Sequence, residues 1–167
     1  MKTLNSLPGQ LATAIAIFAL LAQNAFAQVV VRDSEALAAA VRNEPAGSTI
    51  AVVPGTYELD APLEPKAGMT LTGAGMDKTV ITHTPAWKPS TEKLPDSEID
   101  MKRIDTVAYL VRIEDKAANV TISKLTLRGP QLHGAVFGAR NENLHLHHLR
   151  IEDVLYCGVR TFFSRGA

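Results

Sequence analysis

A single cysteine, Cys157, stands in 167 residues. The chain therefore has no internal disulfide and no thiolate cluster for zinc, which removes stapled mini-domains and zinc ribbons from consideration. Neither sign of charge is in excess, with 17 basic against 17 acidic residues. A balance of that kind gives no general attraction to nucleic acid or to anionic membranes, so neither is expected as a partner. Long apolar runs are missing as well. The run Leu11 to Leu21 holds 11 residues, about 16 Å of helix where a membrane span needs about 30 Å. Aromatic residues make up only 5% of the chain, whereas 46% of it is hydrophobic, which fits one ordinary globular domain and excludes collagen-like, coiled-coil and strongly disordered chains.

What is present begins with a leader. Lys2 supplies a positive start, Leu11 to Leu21 an apolar centre, and Ala25-Phe26-Ala27 a small-x-small cleavage site before Gln28. Residues 1–27 read as a signal peptide, and a secreted or periplasmic location is the expectation. The remaining 140 residues carry 16 basic and 17 acidic groups, a balance of −1.

Residues 28–48 read as an N-terminal strand and a capping helix. Val29-Val30-Val31 is a β-type run, and Asp33 can cap a helix whose Leu37, Ala40 and Val41 fall at i, i+3 and i+4, with Pro45 and Gly47 ending it. From residue 49 the pattern changes to short alternating runs between turn signals such as Pro54-Gly55 and Gly73-Ala74-Gly75, which predicts strands of about four residues.

Comparison of the chain with itself then shows a repeat. A shift of 24 superposes Asn119 to Arg128 on Asn143 to Glu152 and pairs Gly134 with Gly158, Ala135 with Val159, Val111 with Ala135 and Ile113 with Phe137. Val120/Leu144, Ile122/Leu146, Leu125/Leu149 and Leu127/Ile151 alternate with polar residues, so the side-chain period is two. A repeat this short buries its apolar residues by stacking coil on coil. The expected fold is all-β, a parallel β-helix solenoid over 49–167, with inward stacks Val111/Ala135/Val159, Ile122/Leu146 and Leu127/Ile151.

Gly47 to Tyr57 (GSTIAVVPGTY) and Gly68 to Ile81 (GMTLTGAGMDKTVI) resemble the first coils of the right-handed parallel β-helix, pectin-lyase-like superfamily. The resemblance implies a right-handed solenoid capped by the helix from Asp33 to Asn43. It also implies stacked asparagines at Asn119 and Asn143, and calcium as a conceivable cofactor. Asp115, Glu142, Glu152 and Asp153 are the carboxylates available for calcium, at spacings that do not converge. Asp153-Val-Leu-Tyr156 with Arg160-Thr-Phe-Phe163 is similar to a run in pectin methylesterases, which would make Asp153 a catalytic acid/base. The family's glutamine before Ala-Val is Gly134 here.

Residues 83–106 exceed what a coil needs and read as a long lateral loop, in which Trp87 is a candidate to stack on a sugar ring or to pin the loop. Alternation sends Thr121, Ser123, Thr126, Arg128, His145, His147, Arg150 and Glu152 outward, with Lys124 and His148 at a bend. The resulting basic columns suit an acidic polysaccharide. Uronan β-elimination needs a cation for the enolate and a base for the α-proton. Arg150 or Arg128 fits the first role and Lys124 or His148 the second, with His145 and His147 beside them as binding groups. His145 and His147 share a face, but no third metal ligand is evident and no metal site is assigned. Cys157 over His133 reads as a small buried thiol rather than a nucleophile.

The expected function is that of the N-terminal part of a secreted β-helix protein acting on acidic polysaccharide, lyase-like in chemistry. The alternatives are a non-catalytic glycan-binding or surface β-helix and a pectin methylesterase-like hydrolase. Because the sequence stops 24 residues after Asn143 without a capping segment, the solenoid is expected to be truncated at its C-terminal end, inactive on its own and prone to self-association through the uncapped last coil.

Overall fold

The computed structural model describes residues 28–87 and 109–166. The expected leader and most of the expected loop lie outside the described residues. The elements run in the order β1 (Gln28–Val31), α1 (Ser34–Asn43), β2 (Thr49–Val52), β3 (Gly55–Leu59), β4 (Thr70–Thr72), β5 (Thr79–His83), β6 (Tyr109–Arg112), β7 (Thr121–Arg128), β8 (Gly134–Ala139), β9 (His145–Glu152) and β10 (Cys157–Phe162). Every pairing among these strands is parallel, and the described residues form an all-β parallel solenoid of about five turns with one short helix among them.

The helix forms where its sequence places it. Asp33 accepts a hydrogen bond from the Ala36 N–H at 2.7 Å, and Leu37, Ala40 and Val41 form the buried stripe. Lys66 reaches over with its Nζ 2.6 Å from the Arg42 carbonyl and 2.8 Å from that of Glu44, which satisfies acceptors that the helix end leaves free. Packed against β1, β2 and β3, α1 closes one end of the core.

Three faces enclose that core. Strands β7 and β9 have eight residues each and serve two faces. Thr121 to Ser123 of β7 pair with β4, whereas Thr126 and Leu127 pair with β5. Ile50, Leu71, Ile122 and Leu146 stack down the first face. Tyr57, Ile81, Leu127 and Ile151 stack down the second. Between the two faces the backbone turns at Lys124 (φ 57°) and His148 (φ 52°). One coil lower the same corner is the wide turn from Gly73 to Lys78, and there a Cβ on Gly73 would stand 2.4 Å from the Lys124 carbonyl oxygen. Only glycine fits. At the corner leading into β7 and β9, Asn119 and Asn143 adopt φ of 58° and 52°, and the Asn143 Nδ2 donates to the Asn119 Oδ1 at 3.2 Å.

The third face, β6–β8–β10, departs from a uniform shift of 24. Val111 pairs with Val136, and Val136 with Val159. Ala135 therefore does not belong to the expected Val111/Ala135/Val159 stack. Gly134 pairs with Tyr109 and Cys157 rather than with Gly158, and Phe137 pairs with Arg112 rather than with Ile113. The turn from β7 to β8 has five residues (129–133) and that from β9 to β10 has four (153–156). The extra residue shifts β8 by one, so the offset is 25 below it and 23 above it.

Candidate functional site

Outward side chains of β7 and β9 fall into two groups. At the bend, Lys124, His145, His147 and His148 are all exposed. The Nδ1 atoms of His147 and His148 lie 2.8 Å apart, with their rings nearly perpendicular. Neither Lys124 nor His148 holds a carboxylate among the described residues. Further along the strand, the arginines are engaged. Arg128 donates to Glu152 Oε2 through Nε at 3.0 Å and through its terminal nitrogen at 2.8 Å, with Asp153 at 3.9 Å. Arg150 meets Asp77 of the wide turn at 2.7 Å and Glu152 at 3.9 Å. Four residues along a strand separate Lys124 from Arg128, about 13 Å.

Two of the expected outward side chains are not available to a ligand. Ser123 is buried and donates to the Thr72 hydroxyl at 3.1 Å, and Thr126 is buried with its hydroxyl on the Met76 carbonyl at 2.7 Å. The wide Gly73–Lys78 turn folds over the column that alternation alone leaves open.

Trp87 is half-buried against the core, with its ring edge-on to His83 at 5.8 Å. His83 in turn is 2.6 Å from the Pro130 carbonyl through Nε2. The tryptophan thus sits beside the β7–β8 turn and away from the bend histidines.

A second cluster forms on the outside of the third face. The shorter β9–β10 turn sets Tyr156 flat on His133, ring centroids 4.8 Å apart, and Tyr109 packs edge-on to His133 at 5.8 Å. The guanidinium of Arg160 lies 5.6 Å from the Tyr156 ring centre and 4.8 Å from that of Phe162. Arg128, Arg140 and Arg150 each hold a carboxylate, whereas Arg160 has none among the described residues. Its positive charge lies against ring faces and beside the Tyr109 hydroxyl, neutral groups that attract it without cancelling it. Loss of water, with the charge of Arg160 second, holds the His133 imidazole below its ordinary range. Its Nε2 is buried and finds no hydrogen-bond partner. Burial, followed by the neighbouring Cys157, raises Tyr109 well above the usual phenol range. Cys157 does not stack over His133 as the uniform shift implied. Its Sγ lies 3.9 Å from the Tyr109 hydroxyl, and no hydrogen bond to an imidazole orients it.

The carboxylates considered for calcium do not come together. Asp115 is bonded through both oxygens to Arg140, Glu152 faces Arg128, and Asp153 also lies near Arg128. The hydrogen bond from Arg140 is the main reason the Asp115 carboxyl sits below its ordinary range. Among the described residues no group of three or more His, Cys, Asp and Glu is arranged for a metal ion, and the donor set does not fit calcium.

A groove of about 950 Å³ lies between α1 and the neighbouring coils. Six carboxylates line it against the three cations Arg42, Lys66 and Arg112, so it repels a polyanion. The Tyr156–Arg160 patch combines an exposed ring with an unneutralised guanidinium, the pair of contacts that a uronic acid offers to meet: a C–H face and a carboxylate.

In the sequence, Arg160 and Tyr156 stand out only inside a resemblance. The stack of Tyr156 on His133, with Tyr109 edge-on to the same imidazole, was not expected. The signal was the length of the turns, since a shift of 23 brings His133 and Tyr156 together where 24 does not. No helix among the described residues is long and apolar enough to cross a membrane. Comparison with protein-family models, with curated proteins and with solved structures finds no match to this chain.

Proposed function

We propose that this solenoid belongs to a secreted protein that acts on acidic polysaccharide, and that a uronate residue docks on the Tyr156–Arg160 patch. The observation that carries this reading is Arg160, which lies over two aromatic rings and has no carboxylate partner among the described residues. A uronate carboxylate gains a charge-assisted hydrogen bond there, and the exposed ring of Tyr156 covers the sugar's apolar face. The parallel solenoid is compatible with this class of ligand, and the leader-like residues 1–27 support export.

Lyase chemistry is the finer form of the proposal. A base removes the proton α to the carboxylate, an arginine stabilises the enolate, and the glycosidic C–O bond breaks to leave an unsaturated uronate. Lys124 and His148 are available as bases at the bend between the first two faces, so this chemistry would act on a uronate bound there and not on one docked at the third-face patch. Arg150 and Arg128 would first have to exchange Asp77 and Glu152 for substrate. Asp153, which is exposed, is the acid/base of the esterase alternative.

Retention of the purified protein on immobilised polygalacturonate tests the binding. Wild type should be held at low salt and released as screening rises, and Arg160→Gln should elute early. Release of products with ultraviolet-absorbing double bonds would identify a lyase, and methanol release from esterified pectin an esterase. Equal retention of wild type and Arg160→Gln would contradict the docking of uronate on this patch.

A further inference from the structure

His133 is a half-buried titratable group beneath the third-face patch, and docking through Tyr156 and Arg160 leaves it unused. It ends the turn 129–133 between β7 and β8. Its ring lies flat under Tyr156, ring centres 4.8 Å apart, and Tyr109 meets it edge-on. Backbone bonds fix the arrangement, since the N–H groups of Tyr156 and Cys157 both donate to the His133 carbonyl, at 3.1 and 3.2 Å. The imidazole is thereby tied to the same ring over which Arg160 rests.

Titratable and charged groups reach His133 from three elements. Tyr109 approaches from β6, Tyr156 from the turn before β10, and Cys157 and Arg160 from β10 itself. Asp153, at the start of that turn, leans toward Arg128 at 3.9 Å, and no ion pair to His133 exists among the described residues. Loss of water is the first cause that holds the imidazole below its ordinary range, and the Arg160 charge is the second. A carboxylate seated on Arg160 cancels the second cause. It adds little to the first, because Nε2 is already buried away from water. A negative ligand on Arg160 and a proton on His133 therefore favour each other, and the coupling is reciprocal.

We propose that docking of a uronate on the Tyr156–Arg160 patch is coupled to uptake of a proton from solvent by His133, so that affinity for the acid rises as the pH falls. This rests on the uronate reading of the patch and adds its regulation. His133 is neutral in the free protein at pH 7.5, and its pKa is higher in the complex than in the free protein. Affinity is level well above the ordinary imidazole value of 6.5 and climbs as the pH falls through the two pKa values. The uronate stays ionised down to about pH 4, as carboxyl groups of this kind do.

Isothermal titration of the full chain with an oligogalacturonide from pH 7.5 to 4.5, in pairs of buffers with different ionisation enthalpies, tests the coupling. Wild type should bind at least about threefold more tightly at the acid end, and the heats should show net proton uptake where affinity climbs. His133→Phe keeps a flat ring under Tyr156 and should lose both the climb and the uptake. The His145→Gln/His147→Gln/His148→Gln variant, which changes only exposed bend histidines, should keep both. Without any variant, the His133 imidazole resonances should titrate at higher pH with saturating ligand than without it. Binding that depends on Arg160 but is equal at every pH, with no proton uptake, would overturn the coupling and leave the docking in place. A climb that His133→Phe retains would also overturn it, and absence of binding at any pH would overturn docking and coupling together.

Discussion

Gly73 is the residue on which the first wide corner depends. A methyl group there meets the Lys124 carbonyl, which is backbone and cannot swing aside. Gly73→Ala should therefore lower unfolding free energy by about 1–3 kcal/mol in a urea titration, and an unchanged midpoint would contradict the corner's geometry. His133 makes a second residue-scale prediction. Its folded-state pKa lies below the unfolded value of 6.5, so the unfolded chain takes up the proton first as pH falls. The contribution of His133 is full above about pH 6.5 and declines as the pH drops toward the folded-state value. Unfolding midpoints should fall between about pH 7.5 and 5.5, and the fall should be shallower in His133→Phe. At this scale the sequence was legible wherever one residue's neighbours are its own repeat mates: Asn119 with Asn143, Ile122 with Leu146. It was illegible for Thr126, whose hydroxyl is taken by Met76 in a turn 50 residues away.

Among the elements, β7 and β9 carry a regular shift of 24 along their whole length, and their register follows from apolar alternation alone. The third face does not, because turn length rather than side-chain pattern sets where β8 and β10 begin. A one-residue difference in a turn leaves no trace in hydrophobic periodicity, yet it decides which side chain covers His133. The paired arginines follow the same logic of elements. The cross-coil contact of Arg128 with Glu152 is half-exposed, and pairs of that kind contribute about 0–1 kcal/mol. Arg150→Ala should accordingly leave both stability and polygalacturonate retention close to wild type, whereas Arg160→Gln should lose retention. The reverse order in a retention assay would move the binding face from β10 to β9.

On the scale of the whole molecule, a formally neutral chain separates its charge, with an acidic groove beside α1 and an uncompensated arginine on the third face. Strand β10 and the turn before it expose Leu155, Tyr156, Val159 and Phe163. Each large apolar side chain left in water forgoes about 1.5–3 kcal/mol of burial, and an apolar patch of this kind invites association. Sedimentation velocity should show concentration-dependent self-association, reduced by Leu155→Ser with Phe163→Lys. A monomer at all concentrations would contradict that expectation.

Isothermal titration with a defined oligogalacturonide, beside its fully methyl-esterified form, tests the central claim most directly, because the two ligands differ only in the charge that Arg160 is proposed to read. The account predicts saturable binding of the acid, weakened at least tenfold by Arg160→Gln and by rising salt, and little binding of the neutral ester. Equal affinity for the two ligands, or an acid isotherm that Arg160→Gln leaves unchanged, would contradict it.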